Sequence, residues 1–184
     1  YADAVTTVSP TYAYEITTPE GGEGLEGLMY ACRDKLSGIL NGLDYTEYDP
    51  QKDVYLTNHY NEVNYKEGKA LNKTRLQKNV YLPVDGDVFL IGMVSRMTDQ
   101  KGFDLIAYVM DELCQDAIQL VILGTGDERY ENMFRHYAWK YPDKVSANIY
   151  YSEELSHRIY ASCDAFLMPS LFEPCGLSQL MALR

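Results

Sequence analysis

The sequence has no apolar run approaching the roughly 20 residues that a helix needs to span a bilayer, which excludes a membrane-spanning helix. Cysteine is scarce: Cys32, Cys114, Cys163 and Cys175. None forms a Cys-x-x-Cys pair, and their density is too low for the disulfide framework of a small secreted domain. They read as reduced thiols of a cytoplasmic protein. Positive charge is also in short supply. Lys and Arg number 16 against 27 Asp and Glu, leaving a net charge of −11. Such a balance repels nucleic acid and anionic lipid unless a local patch overcomes it. One candidate patch exists, Lys66, Lys69, Lys73, Arg75 and Lys78, interspersed with Glu62 and Glu67. Its spacing fits the solvated face of an exposed helix, so neither a nucleic-acid nor a membrane partner is expected. No signal-like segment is visible, and the first residue is Tyr1. Both ends look cut, as in a piece of a longer polypeptide.

What is present is a globular composition. Hydrophobic residues make up 46% of 184 positions, enough for a sizeable core. Tyrosine occurs 17 times, a richness associated with sugar stacking. Residues 1 to about 57 are rich in Gly, Thr, Asp and Tyr. Within them "ADAVTTVS" reads as a buried strand, and Leu25, Leu28 and Cys32 fall on one helix face. "GIL" reads as a short strand closed by the turn Asn41-Gly42, and "DYTEYDPQKD" as a polar connector. An exposed helix is expected over 61–79.

From Val88 the pattern becomes regular. "VFLIGMVS", "IQLVILG", "VSANIYY" and "AFLM" read as strands. Helical spacing predicts helices over about 103–114, 128–141 and 152–163, the last capped by Ser152, and another opening at "GLSQLMALR". Strand alternating with helix four times implies an α/β fold with a doubly wound parallel sheet. The common solution orders these strands 3-2-1-4, with two more to follow. A sheet stopping at the fourth strand leaves an open edge, which predicts self-association.

In that order the sheet reverses between its first and fourth strands, and ligands bind beyond their carboxyl ends. Two loops are thereby singled out. "SRMTDQKG", 95–102, carries Arg96 and Lys101, a planar fork of donors and a compact charge, both suited to a diphosphate. The alternative is that these cations pair with Asp99 and Asp104. "PSLFEPCG", 169–176, carries Glu173 and then a helix start. The free amides of Gly176, Leu177 and Ser178 would face the same crevice, and Glu173 can accept hydrogen bonds from hydroxyls. A first-turn carboxylate favouring the helix dipole is the other reading of Glu173. Two further signals are weaker. "GTGDERYE" lacks the third glycine of a dinucleotide fingerprint, and Asp127 reads as a helix cap. His157 follows Glu153 by four residues, a metal-compatible spacing, but no third ligand lies near in sequence, so it reads as a surface or core histidine.

These segments resemble bacterial glycogen synthase and plant starch synthase. The resemblance rests on "VTTVSPTYAYEI", "NGLDYTEYDPQKD", "VSRMTDQKGFDL", "LGTGDERYE" and "YSEELSHRIYASCDAFLMPSLFEPCGLSQLMALR", in order along nearly the whole chain. It implies a two-domain glycosyltransferase-B fold. Residues 1–57 would be the tail end of a Rossmann-like N-terminal domain plus linker. Residues 58–184 would be the first part of the C-terminal nucleotide-sugar-binding domain. It implies a retaining enzyme that moves glucose from ADP-glucose or UDP-glucose to the non-reducing end of an α-1,4-glucan, with no metal and no cofactor.

By the same resemblance, Arg96 and Lys101 neutralise the departing diphosphate and Glu173 holds hydroxyls of the donor glucose. Cys175, Gly176, Leu177 and Ser178 form the turn that meets sugar and distal phosphate, and Tyr151 lies beside the nucleobase. Leu171 departs from the arginine that many relatives carry there. The family's Lys-Thr-Gly-Gly-Leu loop, its N-domain histidine and its later Thr-Gly-Gly segment have no counterpart in these residues, so the chain by itself is expected to be inactive. The competing readings are a nucleotide-binding module without transfer chemistry and a nucleotide-sugar transferase with another acceptor.

Overall fold

A computed structural model describes residues 2–184 and divides the chain into two compact units. The first comprises residues up to Leu43 together with Glu173–Leu177. In it β1 (Val5–Thr7) pairs in parallel with β2 (Leu36–Gly38), in the register Val5 to Leu36 and Thr7 to Gly38. Between them lie α1 (Pro10–Glu15) and α2 (Glu26–Ala31). α1 starts where a cap and a proline coincide: the Ser9 hydroxyl accepts the Tyr12 N–H at 3.2 Å, and Pro10 opens the helix.

Three expectations for this region are corrected. β1 is half-buried, not buried, because only one strand flanks it. The second strand ends at Gly38 instead of running through "GIL". After the Ile39 N–H donates to the Thr7 carbonyl at 2.8 Å the chain leaves the sheet, and Ile39 and Leu40 are exposed. Leu25 and Leu28 are exposed as well, so the anticipated apolar face of α2 is not a core face.

The second unit comprises Asp44–Phe172 and Ser178–Arg184. Its elements are α3 (Tyr65–Asn79), β3 (Phe89–Val94), α4 (Phe103–Leu113), β4 (Ile118–Leu123), α5 (Glu128–Lys140), β5 (Val145–Asn148), α6 (Glu153–Ser162), β6 (Ala165–Phe166) and α7 (Leu177–Leu183). The four strands are parallel in the order β5-β4-β3-β6, the doubly wound arrangement expected from the alternation. β4 is buried along its whole length, and its side chains alternate between two cores. Leu120 and Ile122 pack with Met93, Phe103, Ile106, Met110 and Phe134, under α4 and α5. Val121 and Leu123 pack with Leu76, Val80, Leu90, Leu155 and Ile159, under α3 and α6. A fully buried side chain such as Phe134 contributes about 1.5–3 kcal/mol.

α3 departs from the solvated helix that its charge suggested. Lys66, Arg75 and Lys78 are exposed, but Gly68, Asn72, Lys73, Leu76 and Gln77 are buried. Lys73 reaches the Asp164 carboxylate at 2.7 Å and the carbonyls of Gly86 and Val88 at 3.0 and 2.5 Å. Gln77, fully buried, donates to Gln119 Oε1 at 2.8 Å and to the Asp85 carbonyl at 2.7 Å. Each buried donor therefore has an acceptor, which makes a polar helix face tolerable inside. Lys69 donates to the Tyr160 carbonyl, and burial lowers its pKa.

The two cap expectations fare differently. Ser152 caps α6, its hydroxyl accepting the Leu155 N–H at 3.1 Å. Asp127 occupies the cap position of α5, but its side chain makes no cap bond. Glu131 reaches back instead and accepts the Gly126 N–H at 3.0 Å. His157 lies in the interior, 2% exposed, with Nδ1 2.6 Å from Asp53 Oδ2. The "polar connector" is thereby anchored to α6, with Asp49 and Asp53 both buried.

Candidate functional site

β3 pairs with β4 on one side and β6 on the other, through Ile91 to Ala165 and Gly92 to Phe166. The connection out of β3 runs to β4 and the chain later returns to β6, so the switch point lies between β3 and β6. The two loops read from the sequence leave the carboxyl ends of these neighbouring strands.

The first loop is fastened along its other side. Ser95 N–H donates to the Leu123 carbonyl at 3.1 Å and Met97 N–H to Thr125 at 2.9 Å, while the Met97 carbonyl accepts from Asp127 N–H at 2.7 Å. Met97 is fully buried. The glycines of "GTGDERYE" have their reason here: a side chain at Gly124 would strike the Ser95 carbonyl. The loop then tightens into a short 3-10 turn, Asp99–Lys101, and Gly102 starts α4 at φ 70°. Arg96 is exposed and Lys101 half-buried. The carboxylates offered as their alternative partners are engaged by another pair of side chains. Arg129 pairs with Asp99, and the Tyr130 hydroxyl donates to Asp99 at 2.8 Å and Asp104 at 3.2 Å.

The second loop is joined to the first. Leu171 N–H donates to the Gln100 carbonyl at 2.9 Å, and Gln100 Nε2 donates to the Phe172 carbonyl at 3.0 Å. A Cβ at Gly102 would strike the Pro169 carbonyl, so the two backbones touch there as well. The structure thus brings the loop of Arg96 and Lys101 against residues 169–172. Gln100 and the Gly102–Pro169 contact were missed from sequence. Only the position of Gln100 inside a switch-point loop could have flagged it, because its partners lie some seventy residues away.

The remaining sequence-derived residues are placed as follows. Glu173, Pro174 and Cys175 are half-buried and Gly176 is buried with φ 70°. Leu177 begins α7. Ser178 is half-buried, and burial pushes the Tyr160 phenol above its ordinary pKa. Tyr151 is 86% exposed and follows β5, the edge strand two positions from β3. It shares the carboxyl end of the sheet with the two loops but is separated from them by β4. No helix among the described residues is long and apolar enough to cross a membrane. All four cysteines carry free thiols.

Residues 76–184 match the family model described as glycosyl transferases group 1, and residues 1–31 match that of the starch synthase catalytic domain. The whole chain aligns at 66% identity with a glycogen synthase of Lachnospira eligens and at 59% with one of Lachnoclostridium phytofermentans. In both cases it spans 38% of the relative's length. Among solved structures it superimposes with a TM-score of 0.91 and 37% identity on the catalytic domain of starch synthase IV from Arabidopsis thaliana, bound to ADP and acarbose. That match covers all of this chain and 38% of the other.

Proposed function

The chain belongs to the glycosyl transferases group 1, and from that premise we propose that the whole protein is a glycogen (starch) synthase that transfers glucose from ADP-glucose to the non-reducing end of an α-1,4-glucan with retention of configuration. The relatives support the glucan product, and the ADP held by the starch synthase IV structure supports the donor. The observation that carries the reading is the double hydrogen bond of Gln100 to residues 171 and 172. It fixes the cation-bearing loop against the segment leading directly into Glu173.

In this reading residues 1–57 complete an N-terminal domain and linker, and residues 58–184 begin the C-terminal domain. Arg96 and Lys101 face the donor diphosphate. As transfer proceeds, the bond from C1 of glucose to the diphosphate oxygen breaks. A bond from the acceptor 4-hydroxyl oxygen to C1 forms on the same face, and the hydroxyl proton leaves with the diphosphate. Negative charge grows on the leaving group, and fixed cations stabilise it more than they stabilise the ground state. Glu173 accepts hydrogen bonds from glucose hydroxyls and so fixes C1 for attack. Cys175, Gly176, Leu177 and Ser178 contribute backbone amides. Tyr151 offers its exposed ring to the nucleobase. The protein works in the cytoplasm, and the 184-residue chain by itself, its sheet incomplete at β6, is prone to self-association.

The test uses the full-length protein. Glu173→Ala should abolish transfer from ADP-glucose to glycogen while ADP affinity stays nearly unchanged. Arg96→Ala and Lys101→Ala should each weaken ADP binding. Transfer surviving in Glu173→Ala would remove that residue from the chemistry. The 184-residue chain assayed alone should show no turnover, and clear turnover would contradict the two-domain reading.

A further inference from the structure

Three side chains that the proposed transfer does not use converge within the second unit. His157 is buried, stacked on Tyr48 with ring centroids 4.5 Å apart and met edge-on by Tyr55 at 4.9 Å. Asp53 Oδ2 lies 2.6 Å from its Nδ1. A carboxylate at that distance holds the ring proton on Nδ1 and leaves the lone pair on Nε2. Nε2 is buried and has no hydrogen-bond partner. Glu153, one turn earlier on α6, and Glu47, from the connector, offer carboxylate oxygens. These and a ring nitrogen of His157 all lie within 4.8 Å of one another. With Nδ1 committed to Asp53, Nε2 is the nitrogen left for them. Three acceptors therefore meet without a donor among them.

We propose that Glu47, Glu153 and His157 form a binding site for a divalent transition-metal ion, with zinc(II) the best match to its donors and Asp53 the orienting carboxylate behind the histidine. One imidazole and two carboxylates are hard-to-borderline donors of the kind zinc accepts, and they leave a fourth position for water. Ligand atoms about 2.1 Å from a tetrahedral ion sit about 3.4 Å apart, so the cluster needs only a modest contraction. The carboxylate–histidine pair behind the ion is the arrangement that fixes a ligating imidazole in the correct tautomer. Glu47 belongs to the connector while Glu153 and His157 begin α6, so the ion clamps the connector to the sheet-covering helix. This role is structural and does not use the cations proposed for transfer, which lie in the loop after β3.

The test is zinc(II) titrated calorimetrically into chelator-stripped full-length protein, beside the double variant Glu47→Gln, Glu153→Gln. Both glutamates are exposed, so the variant should fold, and its metal-free circular dichroism and urea midpoint check this. Wild type should bind one ion per chain and melt at a higher temperature with zinc present. The double variant should bind at least about tenfold more weakly, and Asp53→Asn should weaken binding about 10–100-fold. Absence of zinc binding in the wild type overturns the proposal. So does equal affinity in the double variant, which would put the ion elsewhere.

Discussion

Gln100 touches Leu171 and Phe172 at once: its carbonyl accepts the Leu171 N–H at 2.9 Å, and its side-chain amide donates to the Phe172 carbonyl at 3.0 Å. One residue thus ties the loop after β3 to the loop after β6. Gln100→Ala keeps the backbone bond and loses the side-chain one, worth about 0.5–1.5 kcal/mol. Global stability should fall by no more than that. In the full-length protein kcat for transfer should fall several-fold further than ADP affinity, because Glu173 follows Phe172 and its placement loosens. Gln100→Glu removes the donor and should not rescue. An unchanged kcat in Gln100→Ala would show that the tie has no part in the site.

Gly102 is constrained twice, by φ 70° and by the Pro169 carbonyl where a Cβ would stand. A left-handed conformation costs a non-glycine residue about 1–2 kcal/mol before any clash. Gly102→Ala should therefore destabilise by more than about 2 kcal/mol, read as a drop in urea midpoint without a change in slope. It should also disturb the adjacent Lys101, so ADP binding should weaken with it. Stability equal to wild type would mean that the two loops move apart at little cost.

Lys73 is a buried cation with three acceptors, Asp164, Gly86 and Val88, and Asp164 also accepts the Leu90 N–H at 2.8 Å. This network connects α3, β3 and the start of β6. Lys73→Met keeps the stem and strands the acceptors, which should cost about 2–4 kcal/mol, less than a fully buried pair because the Asp164 side chain is 35% exposed. Urea denaturation of the two proteins measures it. Wild-type stability in Lys73→Met would show that water replaces the ammonium freely.

Much of the second unit was legible because its signals are local. Continuous apolar runs such as "IQLVILG" mark strands buried on both faces, and chirality then leaves few strand orders. α3 was misread because its buried face is polar. Lys73, Gln77 and Asn72 find their partners in Asp164, Gln119 and Asn58, and pairing across such separations has no periodicity to betray it. The same holds for Glu47 beside Glu153 and His157, where spacing showed two groups and only folding supplied the third. The strand reading of "GIL" erred because apolar Ile39 and Leu40 suggested burial, whereas the pairing partner β1 ends at Thr7. At the site, the switch-point rule and two cations were enough to select the loops. The residue that joins them was not visible, because a glutamine between an aspartate and a lysine looks like surface.

The buried thiol of Cys163 makes stability fall at alkaline pH. Burial pushes its pKa up to about 12, against 9.0 for an unperturbed thiol. Between those values the unfolded chain loses the proton and the folded chain keeps it. The stabilisation is therefore complete below about pH 9 and is lost as pH rises toward 12, at no more than about 1.4 kcal/mol per pH unit for one group. Tyr60, also raised to about 12, chiefly by burial, adds the same sign above about pH 10. Urea midpoints measured across about pH 8 to 11 should thus be flat and then decline. Cys163→Ala should shift the whole curve down, because a buried sulfur is removed, and should flatten the decline that begins near pH 9. At neutral pH the native Cys163 should react with a thiol reagent far more slowly than the half-buried Cys175. A decline equally steep in Cys163→Ala would assign the alkaline loss to other groups, and rapid labelling of Cys163 would mean that α6 opens from β3 far more readily than its packing implies.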